Sequence, residues 1–113
     1  MQSAPLTPGE SRRLDVLESL GVLDTPADPV LDGIVRAAAE LTGCPVSLVS
    51  LVDDERQWFK ANVGLEGVQE TPRELAFCAH AILDSEVFEV SDASADARFA
   101  DNALVTGKPD IRF

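Results

Sequence analysis

One cysteine and the chain's single histidine lie two residues apart, in the segment Phe77-Cys78-Ala79-His80. A thiolate beside an imidazole is the pair that nucleophilic catalysis uses, and both side chains are good zinc ligands. On a helix of about 3.6 residues per turn, positions two apart point about 200° away from each other. Cys78 and His80 therefore cannot share a proton or a metal ion from one helix, and Cys44 is the only other cysteine. The sequence predicts no catalytic residue, no metal site and no cofactor.

The same geometry gives both residues structural roles. We expect Cys78 to pack as a small, buried apolar side chain on the face that carries Leu75 and Ile82. His80 lies four residues before Asp84, a spacing at which the imidazole can contact that carboxylate on one face of a helix. The alternative for His80 is a polar group that faces a ligand.

Asp92 and Arg98 are the other two charged residues with a candidate role in binding. Arg98 follows Asp96 by two residues, and a structural pair with a neighbouring aspartate is our expectation for it. Asp92 stands where an aspartate caps the next turn of the chain. For both residues, direct contact with a ligand is the alternative.

Composition limits the classes of partner. The chain has 113 residues, 45% of them hydrophobic, as suits one compact domain. Its net charge of −11 repels phosphate backbones and anionic lipids, so we expect no nucleic acid and no membrane as partner. No apolar run approaches the ~20 residues of a membrane span, and the N-terminal residues do not resemble a secretory signal. Two cysteines do not make a disulfide framework, so we expect a cytoplasmic protein with reduced thiols; a Cys44–Cys78 bridge is the alternative.

A pattern of threonine, proline and an acidic residue predicts three helix starts. It occurs as Thr7-Pro8-Gly9-Glu10, Thr25-Pro26-Ala27-Asp28 and Thr71-Pro72-Arg73-Glu74. The hydroxyl can accept a first-turn N–H, proline suits the first helical position, and the acid completes a capping box. We expect helices over about 8–20, 29–41 and 71–83, with Asp28-Pro29 as a competing start for the second.

Strands are expected between and after these helices. Residues 46–52 have the sequence VSLVSLV, which is typical of an inner strand, and residues 56–63 return as the second strand of a hairpin. Alternation along that strand puts Trp58 and Phe59 on opposite faces, so we expect only one of them in the core. A short strand over 87–90, a helical turn near 98–104 and the beginning of a strand at 111–113 follow.

Three motifs together resemble a known family. They are Asp-x-x-x-Trp-Phe at 54–59, Phe-Cys-Ala-His at 77–80 and Asp-x-Arg-Phe at 96–99. With the segments LGVLDTPADPVLDGIVRAAAELTGCPVSLVSLV and ETPRELAFCAHAIL, they are similar to the N-terminal and central part of a GAF domain. The version that they resemble stands at the N-terminus of bacterial sensor histidine kinases and diguanylate cyclases.

The resemblance implies an α+β fold, a GAF-like antiparallel sheet with flanking helices. It covers residues 13–113, and residues 1–12 form a lead-in and the start of the first helix. It also implies that the chain stops before the family's last strands and C-terminal helix. The strand at 46–52 would then have an unpaired edge, so we expect the chain alone not to be a stable monomer.

Members of the family are small-molecule sensors whose pocket lies between the sheet and the segments that correspond here to 74–83 and 92–102. The ligand-pocket candidates are Phe77, Cys78, His80, Asp92, Arg98, Phe99 and Asn102. The implied function is that of a non-catalytic regulatory sensor, with an unknown small-molecule ligand, which acts on a downstream kinase or cyclase domain and pairs as a homodimer. The alternatives are a GAF-fold thiol enzyme, such as a reductase of free methionine sulfoxide, and a ligand-free dimerisation module.

Overall fold

A computed structural model describes residues 3–107 and 111–112. Four α-helices and three strands are assigned in this range, with two short 3-10 turns between them. In chain order the elements are α1 (Glu10–Leu20), α2 (Pro29–Thr42), β1 (Ser47–Val52), β2 (Arg56–Val63), β3 (Glu70–Pro72), a 3-10 turn at Arg73–Leu75, α3 (Phe77–Ala81), a 3-10 turn at Ala93–Ala95 and α4 (Ala103–Thr106). The strands form one antiparallel sheet in the order β1-β2-β3, which confirms the predicted α+β fold class.

Helix α1 begins two residues later than predicted, because its capping box does not form. Gly9 is the N-cap residue and makes no side-chain cap. The Thr7 hydroxyl instead donates to the Glu10 carboxylate at 2.7 Å, and the Glu10 N–H donates to the Thr7 carbonyl. The predicted end is confirmed: Gly21 has φ 60°, the left-handed conformation that closes many helices.

Helix α2 takes the competing start. The Asp28 carboxylate accepts from the N–H groups of Val30 and Leu31, and Pro29 is the first helical residue. The predicted start of this helix at residue 29 is therefore confirmed, while the capping box that begins at Thr25 does not form. The Thr25 hydroxyl donates to the Val22 carbonyl and accepts from the Lys60 ammonium, so it links the α1–α2 connection to the sheet.

The predicted hairpin of β1 and β2 is confirmed, with Leu51 opposite Trp58 and a register shift after Val49. Helix α2 packs against both strands. Trp58 and Phe59 are both buried, at 6% and 8% exposure, so the expectation that only one lies in the core was wrong. Both faces of this sheet are covered, and alternation along a strand then no longer separates core from surface.

Strand β2 ends in a close approach of two backbone segments. Gly64 has φ 95°, and a Cβ atom there would lie 2.1 Å from the Pro45 carbonyl oxygen. Only glycine fits this position, because both the conformation and the space exclude a side chain.

The largest error concerns the third predicted helix. Thr71 belongs to β3, where it pairs with Gln57, and it caps no helix. The Arg73 N–H donates to the Glu55 carbonyl, and Ala76 is extended with ψ 122°, so the chain cannot continue as one helix from 71 to 83. Within the predicted range, only the five residues of α3 are α-helical, and Arg73–Leu75 form a 3-10 turn. Tertiary pairing with β2 overrides the local capping signal here.

The remaining predictions for the C-terminal part hold only in part. Residues 87–90 have no regular secondary structure, and the helical turn expected near 98–104 is α4, at Ala103–Thr106. Ile111 and Arg112 form no strand, although the Ile111 N–H donates to the Leu104 carbonyl. Phe113 lies outside the described residues.

A separate small core holds this C-terminal part together. Ala93, Phe99 and Val105 are at most 2% exposed and pack with partly buried apolar residues. These neighbours are Phe77, Phe88 and Val90. The core thus joins α3 to the segment that ends in α4.

Candidate ligand-binding site

Helix α3 presents its cysteine and its histidine in different directions, as the spacing predicts. The Cys78 sulfur faces the sheet, where it lies 3.4 Å from both the Ser50 hydroxyl and the Gln57 amide nitrogen. Cys78 is half-buried and is a free thiol, as is Cys44. Its neighbours on the sheet are polar, so it is less isolated from hydrogen-bonding groups than the expected apolar packing residue.

His80 takes part in an aromatic group that we call the ring cluster: Phe77, His80, Phe88 and Phe99. The Phe77 and Phe99 ring centres are 4.5 Å apart, and the His80 ring meets Phe99 edge-on at 4.9 Å. His80 also stacks parallel to Phe88 at 6.5 Å. These separations suit favourable aromatic contacts. Phe99, fully buried at 0% exposure, is the centre of the cluster.

The carboxylate of Asp84 is engaged close to its own backbone. It accepts from the N–H groups of Ser85 and Glu86, at 2.7 and 3.4 Å. It therefore stabilises the turn that follows α3.

Arg98 clasps its own loop and covers the ring cluster. Its Nε and Nη2 donate to the two oxygens of Asp96 at 3.0 and 2.7 Å. The guanidinium also lies 5.1 Å from the ring centres of both Phe88 and Phe99, a cation–π distance. The hydrogen bonds from Arg98 lower the pKa of Asp96 to about 2. Arg98 thus has the structural pairing that the sequence suggested.

Asp92 and Asn102 stabilise the turns on either side of Arg98. Asp92 accepts from the Ser94 N–H at 3.0 Å and from its hydroxyl, and these bonds lower the pKa of the carboxyl group. Asn102 is fully buried: its Oδ1 accepts from the Leu104 N–H at 2.8 Å, and its Nδ2 donates to the Leu75 carbonyl at 3.0 Å. The Asn102 amide therefore connects the start of α4 to the chain before α3.

A cavity of about 220 Å³ adjoins the ring cluster. Among the residues that the structure describes, its lining is apolar except for one guanidinium, and consists of Phe77, Phe88, Val90, Ala93, Ile111 and Arg112. Phe77 is the only one of the seven predicted pocket residues that lines it. Cys78 faces the sheet, and the other five are in the ring cluster or the turns that support the cavity.

Sequence reasoning missed the other lining residues. Phe88 and Val90 carried a signal, since they alternate with acidic neighbours in the segment predicted as a strand. Ile111 and Arg112 carried none, because only the folded chain places them beside this segment. There the Ala93 N–H donates to the Arg112 carbonyl, and this hydrogen bond holds Arg112 at the cavity wall.

A partly buried ionic group links α1 to the chain just before α3. The Glu10 carboxylate accepts from Arg13 at 2.6 and 3.0 Å and from Arg73, and its side chain is 12% exposed. Arg13 also donates to the Val52 carbonyl, and Arg73 to the Asp53 carbonyl at 3.0 Å. Hydrogen bonds from Arg13 and Arg73 hold the pKa of Glu10 well below its usual range. We call Glu10, Arg13 and Arg73 the α1 anchor.

Among the residues that the structure describes, no three His, Cys, Asp or Glu side chains come together as ligands for a metal ion. Over the same range, no helix has the length and apolar character to cross a bilayer.

Comparison with known proteins decides the family. The family model described as GAF domain matches residues 26–113, which is most of the chain and includes both the sheet and the cavity. The chain belongs to the GAF family. A curated relative, a cyclic di-GMP phosphodiesterase of Pseudomonas aeruginosa, is 44% identical over all 113 residues.

This GAF domain spans 19% of the length of that relative. The relative's name describes the activity of a protein about five times longer. Family and relative together support a signalling, regulatory module, as the resemblance implied.

Proposed function

We propose that this GAF domain is a non-catalytic sensor, which binds a small molecule in the cavity beside the ring cluster and regulates an output domain in the same protein. The observation that carries the proposal is the cavity, whose described lining is apolar apart from the Arg112 guanidinium. Concave, mostly apolar sites with few polar groups are the usual form of small-molecule sites. We place the protein in the cytoplasm, without nucleic-acid or membrane partners, on the basis of its net charge of −11 and its reduced thiols.

For the output we propose a domain that hydrolyses cyclic di-GMP. The support is the 44% identity to a phosphodiesterase of this dinucleotide along the whole chain. A histidine kinase or diguanylate cyclase output is the alternative that the family resemblance offers. The experiment is to assay the whole protein for cyclic di-GMP hydrolysis, for its synthesis and for autophosphorylation. Each assay is run with and without a ligand identified by thermal unfolding.

The α1 anchor offers a route from the cavity to the rest of the protein. Arg73 precedes α3 by four residues, and α3 contributes Phe77 to the cavity wall. A ligand that moves α3 would therefore also shift Arg73, and with it the ion pair between Arg73 and Glu10 at the start of α1.

The sensor role is tested by thermal unfolding against a panel of metabolites. A ligand at 100 times its dissociation constant adds about 2.7 kcal/mol, which is a shift of several degrees for a domain of this size. Val90→Trp fills the cavity and should abolish the shift. Val87→Trp, at a site that is 93% exposed and three residues away, is the matched control and should keep it.

Equal shifts in the wild type and in Val90→Trp would place binding elsewhere, and no shift with any compound would remove the sensor role.

A separate assay addresses the enzyme alternative. Turnover of free methionine sulfoxide that is lost in Cys78→Ala would contradict the non-catalytic part of the proposal.

A specific observation also favours the dimerisation role. Helix α2 exposes an apolar stripe at intervals of four, three and four residues, formed by Val30, Ile34, Ala37 and Leu41. Val30 is 70%, Ile34 54% and Leu41 88% exposed. Such spacing is that of a helix–helix seam, so we propose that two copies pair through α2.

The pairing is tested by sedimentation velocity on Ile34→Glu. This variant should be monomeric at concentrations where the wild type is dimeric, because a charge would enter the seam. Arg36→Glu adds the same side chain to the same helix outside the stripe and should leave the dimer intact. Identical sedimentation of the wild type and Ile34→Glu would contradict pairing through this face.

A further inference from the structure

We infer that the cavity beside the ring cluster selects a small carboxylate with a single aromatic ring. The inference rests on the proposed sensor function and adds the chemical class of the ligand. Its basis is the combination of aromatic walls, a small volume and the Arg112 guanidinium on the lining.

The volume restricts the size of the ligand. At about 220 Å³ the cavity is smaller than the range of about 300–1,000 Å³ that is typical of sites for drug-sized ligands. A nucleotide, with a base, a sugar and a phosphate, exceeds this space. A single ring with a short side chain fits it.

The walls restrict the body of the ligand. Phe77 and Phe88 contribute aromatic rings, and Val90 and Ala93 contribute aliphatic surface. No acidic side chain lines the cavity within the described part of the chain. An aromatic ring is therefore preferred over a sugar or a polyamine, since it gains stacking contacts and leaves no polar group unpaired.

Arg112 determines the polar end of the ligand. Its Nη1 donates to the Val105 and Ile111 carbonyls at 2.8 and 3.0 Å, which orients the guanidinium without neutralising it. Arg13, Arg56, Arg73 and Arg98 each form an ion pair within 4 Å. Over residues 3–107 and 111–112 no such pair occurs for Arg112, so its charge and its remaining donors are open to a carboxylate, the anion that a guanidinium binds in two-pronged geometry.

Asp92 and the negative net charge of the chain would both repel an anionic ligand, but neither outweighs direct contact with Arg112. Asp92 is close enough for Arg112 to contribute to the lowering of its pKa, yet its carboxylate is engaged by Ser94. The net charge of −11 is distributed over the chain. Salt screens charges that are more than about 8 Å away, whereas direct contact with Arg112 is not screened in this way.

The test compares three single-ring ligands of similar size by titration calorimetry on the full chain: phenylacetate, phenylacetamide and phenethylamine, which are anionic, neutral and cationic. We expect phenylacetate to bind roughly 10- to 100-fold more tightly than phenylacetamide, the effect of a hydrogen bond to a charged group. Arg112→Gln should remove this preference. Arg36→Gln, a charge loss on the exposed face of α2, should keep it.

The outcomes separate this inference from the sensor proposal. Equal affinity for phenylacetate and phenylacetamide, or an unchanged preference in Arg112→Gln, would overturn the ligand class and leave the sensor role in place. Absence of binding by phenylacetate would also overturn the class. The sensor role of this cavity fails only if the metabolite panel also gives no shift that Val90→Trp removes.

Discussion

The hairpin with its helices and the segment from α3 to α4 are stabilised in different ways. In the first region, β1 pairs with β2 from Ser47 to Val52, and α2 covers the sheet. Ion pairs then fasten the connections: Arg56 contacts Asp24 at 2.8 Å, Glu70 at 3.0 Å and Asp53 at 3.4 Å. The hydrogen bonds from these acids, that of Asp24 first, raise the pKa of Arg56.

The second region has little regular backbone pairing. Its two helices have five and four residues, too short to be stable without tertiary contacts. Buried side chains take the place of strand pairing here. Phe99 is the centre of the ring cluster, and the Asn102 amide forms hydrogen bonds with the backbone at two places.

The contrast indicates where the domain can change shape. A region held by a few side chains can rearrange without breaking a sheet, and binding segments are commonly drawn from the less stable parts of a protein. The cavity lies in this region, while the paired sheet and the α1 anchor supply the rigid frame.

Removing the central ring should have the largest effect. Phe99→Ala should cost about 3–5 kcal/mol of unfolding free energy in chemical denaturation, because Phe99 is 0% exposed. Amide exchange should show lost protection over 93–106 and retained protection in β1 and β2. Val87→Ala, at a 93% exposed site, is the control and should change stability by less than about 0.5 kcal/mol. Equal loss of protection in both regions would show that they unfold as one unit.

Breaking the α1 anchor should weaken the frame. Glu10→Gln should cost about 1.5–3 kcal/mol at pH 7, because two arginines lose a charged partner. The folded pKa of Glu10 is lowered, so its stabilisation is present above the unfolded pKa of about 4.3 and is lost as the pH falls towards the folded value. The wild type and the variant should therefore converge in unfolding free energy between pH 5 and pH 2. A constant difference over that range would contradict the ionic role; Glu18→Gln on the exposed part of α1 is the control.

The Asn102 amide should contribute less than the anchor but more than a surface cap. Asn102→Ala should cost about 1–2 kcal/mol, since it removes the cap of α4 and leaves the Leu75 carbonyl without this donor. Urea denaturation provides the measurement, and Glu89→Ala, at an exposed position of the same region, is the comparison. Similar effects of the two substitutions would mean that the buried amide does not hold the second region together.

The smallest effect should come from a threonine that the sequence marks as a cap. Asp28→Ala should cost about 1 kcal/mol because Asp28 caps α2. Thr71→Ala should cost less than about 0.5 kcal/mol, because Thr71 caps no helix and lies in the short strand β3. Thermal unfolding of both variants is sufficient. A larger loss for Thr71→Ala would support the helix that the sequence predicts there.

Helices α1 and α2 and the hairpin could be predicted because their signals are local. Gly21 and Gly43 end their helices in the left-handed conformation, and Asp28-Pro29 begins α2. The opposite orientation of Cys78 and His80 also followed from helical spacing alone. Of the candidate site, the motif around Phe77 and the supporting roles of Asp92 and Arg98 could be predicted, because caps and neighbouring ion pairs depend on residues a few positions apart.

The tertiary structure alone decided the rest. Thr71 has the side chain of a helix cap, but Gln57 in β2 offers its backbone a strand partner, and pairing prevails over propensity. Trp58 and Phe59 are both buried because the two faces of the sheet are covered, which no alternation pattern along one strand can show. Arg112 reaches the cavity because its backbone is bound to Ala93, nineteen residues earlier, and the Glu10–Arg73 pair joins positions sixty-three residues apart. Such contacts depend on how separate segments pack, and the sequence specifies that packing only through the whole fold.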